Sequence, residues 1–303
     1  MRALPIAAAA ATGIQVGAAI VATRFVVGQT DPASLALLRY VIGFFCLLPF
    51  VVVSGQRMRF APRDVIPIAL LGITQFGILI ALLNFGLRFI PSARAALIFA
   101  LFPLLTMLIA AALGQERLSA AKSAGVALTI AGVALALGEK AVTTSDAPMQ
   151  WIGETAVFAS AFSGALCSVL YRPYLRRYPT LPVSAFAMLA SVAFLALLAA
   201  GEGFFAGFPR FTAGGWLAVV FIGVSSGIGY FLWLWALNHA SPTRVTVFLA
   251  LSPITAAVLG AALLGEPVSA TVLAGLGLVV LGLWVAHWQG HDQGSAVARE
   301  ERR

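Results

Sequence analysis

The chain has 303 residues, of which 61% are hydrophobic and only 10% charged, and its mean hydropathy is +0.98. Soluble domains carry about 25% charged residues, so the polar groups here are too few to cover a water-facing surface of this size. That excludes a soluble enzyme, a disordered chain, a coiled coil and a disulfide scaffold, and leaves a polytopic helical membrane protein.

The apolar runs are long and continuous, which also excludes a barrel of alternating strands. A net charge of +8 raises the question of nucleic acid. The 19 Lys and Arg are scattered in ones, twos and threes with no extended basic face, so no nucleic-acid partner is expected and a bilayer surface explains them better. Cys46 and Cys167 sit inside apolar runs with no metal-ligand spacing; no metal and no cofactor are expected.

Ten runs are long enough to span a bilayer, at about 20 residues each. The first, Leu4–Val27, begins like a signal peptide but stays apolar too long for one, and it carries Gln15 near mid-membrane. An amide at that depth needs a partner, water or a cavity. The second, Ala33–Val53, carries Arg39 about a turn and a half from its start, where it can snorkel outward or pair with Asp31. The third, Val65–Leu87, holds Gln75 and ends beside Arg88. The fourth, Ser92–Leu113, has Arg94 in its first turn and Pro103 in its interior. The fifth is Ala120–Leu137.

A polar stretch from 139 to 150 then reads as a linker. The sixth span, Trp151–Tyr171, places Ser160, Ser163, Gly164 and Cys167 on one helix face, fit either for close packing or for a hydroxyl-lined wall. The seventh is Pro182–Ala200. The eighth, Gly214–Leu237, aligns Ser226, Tyr230 and Trp233 on one face, and Tyr230 is too deep for an interfacial belt. The ninth, Thr243–Leu264, holds Arg244, Ser252 and Pro253; the tenth is Ala270–Trp288, followed by a polar tail from 289 to 303. Each interior proline removes a backbone hydrogen bond and should kink or hinge its helix. With the N-terminus in the cytoplasm, loop Lys and Arg divide thirteen inside to five outside, so both termini are expected to be cytoplasmic.

Shifted by 150 residues, Asp64–Ala136 matches Gly214–Ala286 without a gap at 19 of 73 positions. The rare matches carry the weight: Arg94 on Arg244, Pro103 on Pro253, Glu116 on Glu266 and Ser119 on Ser269. The repeat has five spans. Five is odd, so the second copy enters the membrane inverted, the architecture of many secondary transporters.

The stretch Leu87-Arg88-Phe89-Ile90-Pro91-Ser92-Ala93-Arg94-Ala95-Ala96-Leu97, then Pro103 and Gly114-Gln115-Glu116-Arg117-Leu118-Ser119, resembles a unit of the drug/metabolite transporter superfamily, EamA type. Its second copy runs from Ala236 through Pro253 to Ser269. The resemblance implies two five-helix units, 1–138 and 151–288, in a cytoplasmic-membrane carrier of small metabolites, often an amino-acid or drug exporter. It also implies a central cavity between the first, third, fourth, sixth, eighth and ninth helices.

The substrate-contact candidates are Gln15, Gln75, Arg88, Ser163, Ser226, Tyr230, Trp233 and Ser252, with Pro103 and Pro253 as hinges. No Asp or Glu lies mid-span and the histidines are peripheral, so no coupling proton site is visible. A zwitterionic, neutral or mildly anionic substrate fits better than a strong cation. An intramembrane protease would need paired aspartates or a serine with a deep base, and neither is present. A multidrug or other solute permease and a channel remain the alternatives. The expected partners are a small-molecule substrate and membrane lipid, with the chain a monomer or homodimer.

Overall fold

The computed structural model describes residues 3–56, 59–115, 120–138, 147–207, 209–239, 245 and 247–288. It is all helical there. In chain order the helices are α1 (Ala3–Val26), α2 (Pro32–Val53), α3 (Pro62–Gly72), α4 (Leu79–Gly86), α5 (Ser92–Phe99), α6 (Phe102–Ala112) and α7 (Ala120–Gly138). The second half adds α8 (Ala147–Leu170), α9 (Arg172–Arg177), α10 (Thr180–Gly201), α11 (Ala213–His239), α12 (Leu251–Leu264) and α13 (Ala270–Trp288). Seven stretches are long and apolar enough to cross a membrane, and three shorter apolar helices lie within α7, α12 and α13. Together they make ten rods.

Proline placement helps to start several helices. Pro32 and Pro62 open α2 and α3, at the position where a missing N–H costs nothing. Glycines with positive φ end four spans: Gly55 after α2, Gly114 after α6, Gly203 after α10 and Gly265 after α12. Those are the second and fourth spans of each unit, so the two copies stop their helices by the same device.

The packing repeats as well. α1 packs on α11 and α12, and its counterpart α8 packs on α4 and α6; α2 lies against α10. The last span of each unit, α7 and α13, forms a pair built on glycine. A Cβ on Gly132 would come within 2.6 Å of the Gly275 carbonyl oxygen, and one on Gly282 within 2.6 Å of the Gly125 carbonyl oxygen. Those are one contact seen twice, because 125 and 275, and 132 and 282, differ by the repeat offset. Small residues let the backbones approach this closely.

Two expectations are adjusted. The sixth span begins earlier than Trp151, since α8 takes residues 147–150 from the linker, with Pro148 in its first turn. Residues 139–146, Arg244 and the tail 289–303 lie outside the described residues. The third span is interrupted at Ile73–Ile78 by a π-helical turn between α3 and α4, a local widening that sequence periodicity did not announce.

The fourth and ninth spans break just ahead of their prolines. α5 ends at Phe99 and α6 starts at Phe102, with Pro103 in its first turn. In the second copy a 3₁₀ turn, Val247–Ala250, precedes α12 and Pro253. Proline clashes with the carbonyl four residues back. The carbonyl of Leu249, deprived of its helical donor, accepts instead from Ser252 Oγ at 2.7 Å.

Candidate functional site

A cavity of about 90 Å³ lies between the two units at mid-span. The first unit contributes Thr12, Gln15 and Ala19 from α1, Arg39 and Tyr40 from α2, Gln75 and Phe76 from the π turn, Leu79 and Leu83 from α4, and Phe99 and Phe102 around the α5–α6 break. The second unit contributes Ser226, Gly229, Tyr230 and Trp233 from α11, and Leu249 from the 3₁₀ turn. Both backbone irregularities of the first unit therefore border the cavity.

Five of the eight sequence candidates meet here: Gln15, Gln75, Ser226, Tyr230 and Trp233. Gln15 Nε2 donates to Ser225 Oγ at 3.3 Å, which ties α1 to α11. The Gln75 Oε1 is buried without a hydrogen-bond partner. The Tyr230 hydroxyl approaches that of Tyr171, but neither makes a hydrogen bond of normal geometry. Aromatic rings form a connected wall. Tyr230 meets Phe76 edge-on at 4.0 Å between centroids, Phe76 meets Tyr40 at 4.9 Å, and Trp233 meets Phe102 at 6.0 Å.

Three candidates lie elsewhere. Arg88 is at the surface, donating to Asp31 Oδ1 and the Thr30 carbonyl at 2.8 Å each. Ser163 donates back to the Ala159 carbonyl on its own helix. Ser252 is fully buried and spent on Leu249. The sixth span likewise stays out of the lining among the described residues. Its small face packs tightly instead: Gly164 abuts the side chains of Phe102 and Leu79, and Cys167 Sγ lies 3.7 Å from the Leu71 carbonyl. The second span takes its place.

That exchange brings in the residue sequence reasoning misplaced. Arg39 is only 6% exposed and cannot snorkel, because Pro32 to Leu37 are all buried. Asp31, its expected partner, is held by Arg88. Arg39 Nε donates to Ser226 Oγ at 2.6 Å, and the guanidinium carbon lies 5.7 Å from the Tyr40 ring centroid. A charge inside a span with no acid at helical spacing was the available signal. Arg94 is paired within the protein as well: Nη1 lies 3.8 Å from Glu154 Oε1 and donates to Gln150 Oε1 at 3.2 Å.

The sequence profile of the EamA-like transporter family matches residues 3–138 and 151–288. The chain belongs to the EamA-like transporter family. EamA-like proteins are transporters, not enzymes, and the two matched segments are the two five-span units described above. An uncharacterized transporter of Archaeoglobus fulgidus is 26% identical over 271 residues, covering 89% of this chain and 93% of the relative. A probable terminal-alkyne amino-acid exporter of Streptantibioticus cattleyicolor is 31% identical over 255 residues, 83% of this chain and 82% of the relative. The aromatic amino acid exporter YddG of Ancylobacter novellus is 32% identical over 206 residues, 62% and 70% of the two chains. A crystal structure superposes with a TM-score of 0.72 at 25% identity, covering 94% of this chain and 98% of the other.

Proposed function

We propose that this chain is an alternating-access carrier that exports amino acids or related small metabolites across the cytoplasmic membrane. The observation that carries the reading is the mid-span cavity at the seam of two inverted units, with walls from both. Gln15, Gln75, Ser226, Tyr230 and Trp233 would contact substrate, and the breaks ahead of Pro103 and Pro253 would act as the paired hinges. The relatives named as amino-acid exporters support the substrate class. Loop Lys and Arg counts support cytoplasmic termini. The connected aromatic wall also favours a second reading, a permease of broader selectivity for apolar solutes.

Counterflow in proteoliposomes tests the proposal. Liposomes loaded with one unlabelled amino acid should accumulate the labelled form, and the rate should saturate. A non-saturating flux that ignores the trans-side solute would make the protein a channel. Absence of counterflow across both amino-acid and drug panels would remove the carrier reading.

A further inference from the structure

Arg39 carries an obligate positive charge, since a guanidinium does not lose its proton in proteins. It is buried at the seam of the two units and lines the cavity. One of its five N–H groups is satisfied, through Nε to Ser226 Oγ. Among the described residues no carboxylate lies within ion-pair distance of it, and no Asp or Glu lines the cavity. A lone buried cation is costly unless something compensates it. Lipid phosphate cannot do so, because the first turns of α2 are enclosed by protein. The cavity has room for water, which can hydrate the guanidinium when no ligand is bound.

We propose that Arg39 is the anion anchor of the transport cavity, and that the ligand it takes joins one carboxylate to an apolar, preferably aromatic, body. This rests on the carrier reading and adds the substrate class to it. The planar fork of Arg matches a carboxylate through two parallel hydrogen bonds. Ser226, by holding Nε, leaves Nη1 and Nη2 for that pairing and fixes the plane of the guanidinium. Beside any contact with substrate, Ser226 thus positions Arg39, and is held in turn by the Ile222 carbonyl. The rings of Phe76, Tyr230, Phe102 and Trp233 offer faces and edges to the apolar body. The unpartnered Gln75 Oε1 is an acceptor for an α-ammonium group, so an aromatic amino acid would engage Arg39, the rings and Gln75 together.

The test uses calorimetric titration of the full-length protein in detergent with L-phenylalanine, 3-phenylpropionate, and the neutral 3-phenylpropanamide. The two carboxylates should bind and the amide should bind at least about tenfold more weakly. Arg39→Met should erase that preference, and Arg39→Lys should restore part of it, about tenfold short of the wild type because a point charge lacks the fork. Unliganded Arg39→Met should unfold at the same or a higher temperature, since replacing an unpaired buried charge by an apolar chain relieves strain rather than creating it. If the amide binds as tightly as the acids, or Arg39→Met keeps the acid preference, the anchor is wrong. If Arg39→Met lowers the unfolding temperature and weakens acid and amide equally, the residue is structural and the proposal falls. Counterflow separates this from the carrier reading. Counterflow of a neutral solute untouched by Arg39→Met would leave the carrier standing without the anchor, while selective acid binding without counterflow would leave the anchor standing without the carrier.

Discussion

The two ends of the helical bundle are tied in different ways, although one repeat built both. At one end two carboxylates of the second unit sit on helix N-termini of the first. Glu266 accepts from Ser92 N at 3.0 Å and from Ser92 Oγ, and its Oε1 lies 3.5 Å from Arg24 Nε. Glu202 accepts from Ala33 N at 3.0 Å, Ser34 N at 2.7 Å and Ser34 Oγ at 2.8 Å. Each neutralises free N–H donors at the positive end of a helix dipole. At the other end, among the described residues, the tie between units is a single cluster. Asp64 Oδ2 accepts from Arg177 Nη1 at 2.7 Å and from the Tyr178 hydroxyl at 2.6 Å, and that hydroxyl accepts from Ala61 N at 3.0 Å.

The sequence explains part of the inequality. The repeat counterpart of Glu266 is Glu116, and that of Ser92 is Pro242, which has neither an N–H nor a hydroxyl to donate. A duplicated bundle whose two ends held equally well would favour neither state of an exchange between them. Among the described residues the ends differ in donor chemistry, and the end that holds Glu266 and Glu202 carries more hydrogen bonds between the units.

Three substitutions bear on that comparison, in descending order of effect. Glu266→Ala leaves the Ser92 N–H and hydroxyl without their acceptor, while Arg24 keeps the Leu87 carbonyl, and should cost about 2–3 kcal/mol in thermal unfolding. In a background with Cys46 and Cys167 replaced, it should also speed labelling of a Leu83→Cys variant by an impermeant thiol reagent applied from the Glu266 side. Unchanged labelling would mean that Glu266 does not hold that end closed. Glu202→Ala removes the cap of α2 alone and should cost about 1–2 kcal/mol, read as a smaller fall in melting temperature. Asp64→Asn should lower the melting temperature least of the three, because Arg177 is half exposed and the amide oxygen still accepts from Tyr178. A loss for Asp64→Asn as large as for Glu266→Ala would abolish the distinction between the ends.

The ten spans, the inversion and the proline positions were legible because each leaves a local or periodic mark: run length, constant offset, a missing N–H. So were Gln15, Gln75 and the Ser226–Tyr230–Trp233 face, polar or aromatic residues too deep to be anchored at the interface. What escaped is tertiary. Nothing local says that α2 is enclosed along its first turns, which is what turns Arg39 from a snorkelling side chain into part of a cavity wall. Ser163 resembled a lining hydroxyl because a packed small-residue face and a wet one have the same spacing. The Ser92–Glu266 tie joins residues 174 positions apart, and neither neighbourhood marks the other.

Trp233 has one further consequence. The chain has six tryptophans, and among the described residues it alone lines the cavity, while Trp151, Trp216 and Trp284 are exposed on the outer surface of the bundle. Emission from the outer three reports on detergent or lipid; emission from Trp233 reports on what fills the space beside Phe102. The protein thus carries its own optical gauge of occupancy, readable without a label by subtracting the spectrum of a Trp233→Phe variant.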